Sequence, residues 1–126
     1  MNVADRQDCE LNIMRIDALL ASGIFDSKHL RHPWQPSAFI ELMICLRDLL
    51  HKVEKYAERI DFTDDVITNE YVNDVTGAVT AVRDACCHID SFKRNFDTNG
   101  NRGAFNVLHG AGVFGQVNGV ELHSDY

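Results

Sequence analysis

Three residues in the C-terminal half of a predicted helix could together perform acid–base chemistry on a phosphate ester. They are an arginine, the carboxylate directly after it and a histidine four positions further on: Arg83, Asp84 and His88. A guanidinium binds phosphate oxygens in a bidentate manner and offsets negative charge as it develops. Histidine titrates in the range needed to move a proton from a 2′-hydroxyl. These residue types are therefore compatible with metal-independent cleavage of a phosphate ester such as RNA.

The spacing of the three residues limits how they can meet. Asp84 and His88 stand at i and i+4, so they can touch on one helix face, where the carboxylate would orient the ring and favour its protonation. Arg83 and His88 lie about 140° apart around an ideal helix. A compact site then needs the arginine to bend round, or a second copy packed alongside. Because symmetric dimers are the commonest oligomers, we predict a homodimer.

Apolar periodicity predicts the helices that position these residues. The third helix is expected over residues 73–94, and the second from Pro36 to about Ile60 with the most regular pattern in the chain. The first is expected over about residues 5–21, before Gly23, and residues 24–36 with two prolines form a connection. Its predicted apolar side is Cys9, Ile13, Ile16, Leu19 and Leu20. We therefore predict a mainly α, up-and-down helical bundle over about residues 5–94.

The character of the sequence changes after Arg102. Short apolar runs are separated by Gly110, Gly112 and the Asn118-Gly119 pair, and Asn-Gly between such runs is a strong hairpin signal. We predict a small C-terminal antiparallel β-ribbon over about residues 103–126. With 126 residues, the bundle and the ribbon together are expected to form a single domain.

The third helix resembles the HEPN superfamily, a group of helical-bundle proteins from bacterial defence and toxin–antitoxin systems and from some eukaryotic ribonucleases. The family motif is an arginine followed directly by a polar residue, with a histidine separated from the arginine by four to six residues. Here it reads Arg83-Asp84-Ala85-Cys86-Cys87-His88, with four residues between the arginine and the histidine. The resemblance implies that Arg83 binds the scissile phosphate, that Asp84 takes the polar position often held by asparagine, and that His88 is the general acid or base. It covers about residues 5–94 and implies a composite, dimeric site.

The net charge of −7 argues against a general nucleic-acid coat or a membrane-surface protein. Binding of RNA would therefore need a local basic patch working against the overall charge. Candidates that could line one groove and contact RNA are Arg47, His51, Lys93, Arg94 and Arg102. Arg47 and His51 share a helix face, which a plain polar surface also explains.

Two alternatives to a nuclease remain open at this stage. Arg83 could pair with Asp84 or with the acidic segment 61–74 as ordinary surface electrostatics. The chain could then be a non-catalytic dimerisation or partner-binding module whose ribbon docks on another protein, such as an antitoxin. A small-molecule binder has no convergent polar set to support it.

The remaining motifs predict neither a metal site nor a cofactor. The cysteines Cys9, Cys45, Cys86 and Cys87 lack the spacing of zinc or redox pairs and are expected to be free thiols. The His29/His32 pair is interpreted as a polar connection. Without a leader or a membrane-spanning run, a cytoplasmic protein is expected.

Overall fold

The chain is mainly helical, as the apolar periodicity predicts. The computed structural model describes residues 1–29, 31–87, 111–117 and 120–125, and for the last two ranges only the course of the backbone. Helix α1 spans Val3–Ala21, α2 spans Gln35–Tyr56 and α3 spans Val75–Cys87. A short 3₁₀ turn at Ser27–His29 lies in the connection between α1 and α2.

The ends of α1 follow from local capping. The Asn2 side chain accepts a hydrogen bond of 2.7 Å from the backbone N–H of Asp5, as a helix N-cap does. After the helix, Gly23 adopts a φ of +68°, a left-handed conformation that glycine reaches without steric cost. The helix therefore begins two residues before the predicted start and ends at the predicted residue.

Helix α2 packs against both α1 and α3. Along α1 and α2 the paired side chains run in opposite directions: Asp5 with Tyr56, Asp8 with Lys52, Asn12 with Asp48 and Arg15 with Glu41. On the other side of α2, the His51 ring nitrogen lies 3.5 Å from the Thr80 hydroxyl of α3. Thr76 at the start of α3 meets Ile60 after the end of α2, so both helix pairs are antiparallel.

The buried side of α1 matches only part of the predicted apolar side. Asn12 is buried, whereas Ile13 and Leu20 are 50% and 58% exposed. The reason is a polar contact across the helix pair, in which the Asn12 amide donates a 2.6 Å hydrogen bond to the Asp48 carboxylate. Asn12 therefore joins the partly buried Cys9, Ile16 and Leu19 of the predicted apolar side, while Ile13 and Leu20 remain exposed.

Four residues hold the two ends of the connection between α2 and α3 together, and we call them the clasp: Arg59, Ile60, Asp74 and Thr76. The Arg59 guanidinium donates to both carboxylate oxygens of Asp74 at 2.8 and 2.9 Å. The Thr76 hydroxyl donates to the Ile60 carbonyl at 2.6 Å. Asp74 also accepts from the Gly77 N–H at 2.6 Å, which caps the first turn of α3. The Arg59 hydrogen bonds, followed by the Gly77 N–H, lower the pKa of Asp74.

The interior of the described helices is unusually polar. Cys45 and Ala85 are the fully buried apolar residues, beside four buried polar ones: Asn12, Gln35, Asp74 and Thr76. Each of these polar side chains has a hydrogen-bond partner; for example, the Gln35 amide donates to the Ile24 carbonyl at 3.1 Å. Hydrogen bonds between elements therefore position the helices together with apolar packing.

The C-terminal segment contains two strands, β1 (Ala111–Val117) and β2 (Val120–Asp125). They pair antiparallel, with Val117 opposite Val120 and Ala111 opposite Asp125, and the register shifts between Val113 and Gly115. Residues 118 and 119, where the sequence predicts the turn, lie outside the described residues.

Candidate functional site

A cleft between the three helices contains the predicted phosphate binder Arg83 and the predicted RNA contact Arg47, and we call it the central cleft. Its volume is about 290 Å³, and Leu11 and Ile44 form its apolar edge. Its polar lining comes from all three helices: Asp8, Asn12 and Arg15 from α1, Arg47 and Asp48 from α2, and Arg83 from α3. The antiparallel packing thus brings residues more than seventy positions apart onto one concave surface.

Arg83 and Asp84 form a direct ion pair on α3. The Arg83 Nη1 atom donates to the Asp84 carboxylate at 2.9 Å, and the two side chains are about three-quarters buried. Adjacent helical residues diverge by about 100°, so the long arginine side chain must curl back to reach its neighbour. The Nε atom of Arg83 is buried without a hydrogen-bond partner among the described residues. The Nη1 atom of Arg83 is therefore bound by Asp84, and the same arginine side chain lines the central cleft.

Arg47 lines the same cleft without a counter-charge. Within the part of the chain that the structure describes, no carboxylate lies within ion-pair distance of its guanidinium. Its Nε atom is buried and has no hydrogen-bond partner there either. A buried N–H without a partner costs about 1–3 kcal/mol. Arg47 is therefore a cation that a ligand anion would stabilise.

Lys52 pairs with both carboxylates of the cleft lining. Its ammonium group contacts Asp48 directly and Asp8 at 3.3 Å, and its side chain is only 11% exposed. Desolvation lowers the pKa of Lys52, but the hydrogen bonds to Asp48 and Asp8 outweigh that effect, and the pKa lies above its usual value. Because Lys52 stays charged, it offsets much of the repulsion that Asp8 and Asp48 would exert on an anion.

Arg15 is held loosely at the other end of the cleft. Its Nη1 atom lies 3.6 Å from Glu41, and both side chains are about half exposed. Glu41 also accepts a long contact of 3.8 Å from the Cys45 thiol. Burial raises the pKa of Cys45, followed by the charge of Glu41, so this thiol is a poor nucleophile near neutral pH. Cys9, Cys45, Cys86 and Cys87 are present as thiols that are not joined in disulfide bonds.

The structure brings together only some of the predicted site residues. Arg47 and Arg83 share the central cleft, and Asp84 pairs with Arg83. His51 contacts Thr80 on α3 and is not among the residues lining the cleft. The predictions for His88, Lys93, Arg94 and Arg102 lie outside the described residues.

Sequence reasoning missed Arg15 and Asn12. The available signal was the spacing of Asp8, Asn12 and Arg15 at i, i+4 and i+7, which places three polar side chains on one face of α1. Without knowledge of what packs beside that face, such a row is indistinguishable from a solvated surface. The partner of Asn12 is Asp48 and the partner of Arg15 is Glu41; both come from α2, and only the packing reveals them.

Comparison with known proteins gives no further guide to the family. Protein-family models, curated proteins and solved structures yield no match to this chain. Within the described residues, no group of three or more His, Cys, Asp or Glu side chains is arranged to hold a metal ion. No helix in the described ranges is both long and apolar enough to cross a membrane. The cleft lining described above therefore carries the functional argument.

The described lining of the central cleft is suited to binding rather than to proton transfer. Its arginines can hold an oxyanion in bidentate geometry, and its two carboxylates are engaged by Lys52. The described lining contains no histidine. A general acid or base would have to approach from another part of the chain or from a second copy.

Proposed function

We propose that this chain is a HEPN-like endoribonuclease that works without a metal ion, acts as a homodimer in the cytoplasm and serves as a toxin or defence effector. In this mechanism Arg83 binds the scissile phosphate and His88 acts as general acid or base. Asp84 holds the guanidinium and, four positions before His88, can orient its ring. The basic residues Arg47, His51, Lys93, Arg94 and Arg102 extend the RNA-binding surface.

One observation carries the proposal: Arg83 and Arg47, on different helices, line the same cleft. Arg47 has no ion-pair partner among the described residues, so an RNA phosphate would supply its missing counter-charge. Arginine forks match phosphate oxygens better than lysine does because the guanidinium is planar. In this proposal the two guanidiniums provide the local cationic contacts that an acidic protein needs to bind RNA.

The test is cleavage of single-stranded RNA by the full-length protein in the presence of EDTA. The wild-type protein should cut the RNA, and His88→Ala should abolish cleavage while circular dichroism remains unchanged. His29→Ala is the matched control, because His29 lies in the α1–α2 connection, away from the cleft. Cleavage by His88→Ala at the wild-type rate would show that the proposal is wrong.

A second candidate is a non-catalytic dimerisation or partner-binding module. It is favoured by large apolar side chains exposed along α1, among them Ile13, Met14 and Leu20. Exposed apolar patches often mark interaction sites. If this candidate is correct, deletion of residues 103–126 should reduce capture of a protein partner, such as an antitoxin. RNA cleavage should then be absent from both forms of the protein.

A further inference from the structure

The central cleft collects one guanidinium from each of the three helices. Arg15, Arg47 and Arg83 line it together, although each comes from a different part of the chain. Arg83 is paired with Asp84 and Arg15 with Glu41, whereas Arg47 has no carboxylate partner among the described residues. Arginine clusters of this kind recognise phosphate through charge and through paired hydrogen bonds.

The acidic groups near the cleft leave room for an incoming anion. Asp8 and Asp48 are both engaged by Lys52, and Asn12 donates a further hydrogen bond to Asp48. Glu41 holds Arg15 only at 3.6 Å. Arg47 has no carboxylate partner among the described residues, and its Nε is the buried donor noted above. The three arginines and Lys52 are matched in number by the carboxylates Asp8, Asp48, Glu41 and Asp84, so the opening for an anion is local and lies at Arg47.

The size of the cavity restricts the ligand. A volume of about 290 Å³ lies at the lower end of the range of about 300–1,000 Å³ for small-molecule pockets. That volume suits a phosphate with its attached sugar better than a long strand lying across the surface. A terminal phosphate carries about −1.5 to −2 charges near neutral pH, whereas an internal phosphodiester carries one. A terminal phosphate also has three non-bridging oxygens, one more than an internal phosphodiester, and so it can accept from the Nε donors of both Arg47 and Arg83.

We propose that the central cleft binds a phosphate monoester dianion, such as the terminal phosphate of a nucleic-acid strand or of a nucleotide. Assignment of that phosphate to an RNA end rests on the proposed function. Recognition of the dianion itself requires only the three arginines. Arg47 contributes the largest share, because it alone of the three has no protein counter-charge within the described residues.

The test compares RNA oligonucleotides of one sequence with a 5′-phosphate, a 3′-phosphate or two hydroxyl ends. The sugars carry 2′-O-methyl groups, so that cleavage cannot interfere, and binding to the full-length protein is followed by fluorescence anisotropy. At least one phosphorylated form should bind about tenfold or more tightly than the hydroxyl form, a difference of about 1.4 kcal/mol. Adenosine monophosphate and inorganic phosphate are added as competitors to distinguish a strand end from a free phosphate. Competition by adenosine monophosphate supports the monoester assignment, whereas competition by inorganic phosphate alone would show that the cleft binds free phosphate and would overturn it.

Two variants make the result specific to the cleft. Arg47→Gln, and independently Arg15→Gln, should reduce the preference for the phosphorylated strand towards one. Arg6→Gln is the matched control, since Arg6 also lies on α1 but pairs with Glu10 outside the cleft. Circular dichroism confirms that each variant is folded. If Arg47→Gln weakens both strands equally, Arg47 is a general backbone contact and the proposal is wrong.

The outcomes separate this inference from the proposed function. Equal binding of phosphorylated and hydroxyl strands overturns the inference, even if the protein cleaves RNA in EDTA. A clear preference for the terminal phosphate supports it, even if His88→Ala shows that the protein is not the proposed nuclease.

Discussion

Replacement of Arg47 by methionine tests how much the unpartnered guanidinium in the central cleft lowers the free energy of unfolding. Methionine keeps the apolar stem of the side chain and has nearly the same helix propensity as arginine, but it removes the guanidinium. The buried Nε of Arg47 has no hydrogen-bond partner among the described residues. Since such a donor costs about 1–3 kcal/mol, we expect Arg47→Met to raise the free energy of unfolding by about 1 kcal/mol. The melting temperature should rise by roughly 3–6 °C.

A phosphate ligand should reverse this order of stability. At a concentration one hundred times its dissociation constant, a ligand that binds only the folded state stabilises it by about 2.7 kcal/mol. Adenosine monophosphate should stabilise the wild-type protein in this way and leave Arg47→Met nearly unchanged. The wild-type protein is then less stable than the variant without ligand and more stable with it.

The assay is urea denaturation followed by far-ultraviolet circular dichroism at one fixed protein concentration, with and without adenosine monophosphate. Arg6→Met is the matched control, because the Arg6–Glu10 pair is largely exposed and should change stability by less than about 1 kcal/mol. Two results would refute the reasoning. One is an Arg47→Met variant that is less stable than the wild type without ligand, and the other is equal stabilisation of both proteins by the nucleotide.

The clasp gives two further predictions. Thr76→Val should lower the free energy of unfolding by about 1–3 kcal/mol in urea denaturation, because the Ile60 carbonyl loses its 2.6 Å donor; an unchanged midpoint would contradict the role of this bond. Arg59 lowers the folded-state pKa of Asp74, so Asp74 stabilises the fold above its unfolded pKa of about 4, and this contribution is lost as the pH falls through the folded value. Thermal melts should show a weaker acid dependence in Asp74→Asn, which keeps a capping side chain, than in the wild type, whereas the exposed control Asp64→Asn should follow the wild type.

The helices could be predicted from the sequence because apolar periodicity is a local property. The start and end of α1 and the start of α2 agree with the expected positions within two residues. The end of α2 does not, since the helix stops at Tyr56, four residues before the expected Ile60. The physical reason lies in the tertiary structure, because Arg59 leaves the helix to pair with Asp74. The pattern of apolar residues within 36–60 contains no information about Asp74, which lies outside that range.

The candidate site was predictable only in its chemistry. The sequence identifies Arg83, Asp84 and Arg47 by residue type, and the structure pairs the first two and brings the two arginines to one cleft. The contribution of α1 could not be predicted, because Asn12 interrupts an apolar stripe. Its burial is explained only by its hydrogen bond to Asp48 on α2. Polar contacts between helices depend on side-chain pairs that are far apart in the chain, and periodicity does not report them.

The clasp also determines where the protein can accept added sequence. Because its contacts close the chain between residues 60 and 74, the stretch 61–73 is a loop whose ends are fixed independently of its length. Doubling the length of such a loop costs only about 0.6 kcal/mol in closure entropy. Ile67, near its middle, is 89% exposed. An epitope or a reporter domain inserted after Ile67 should therefore leave the helix pair and the central cleft intact, which provides a place to label the full-length protein for binding measurements.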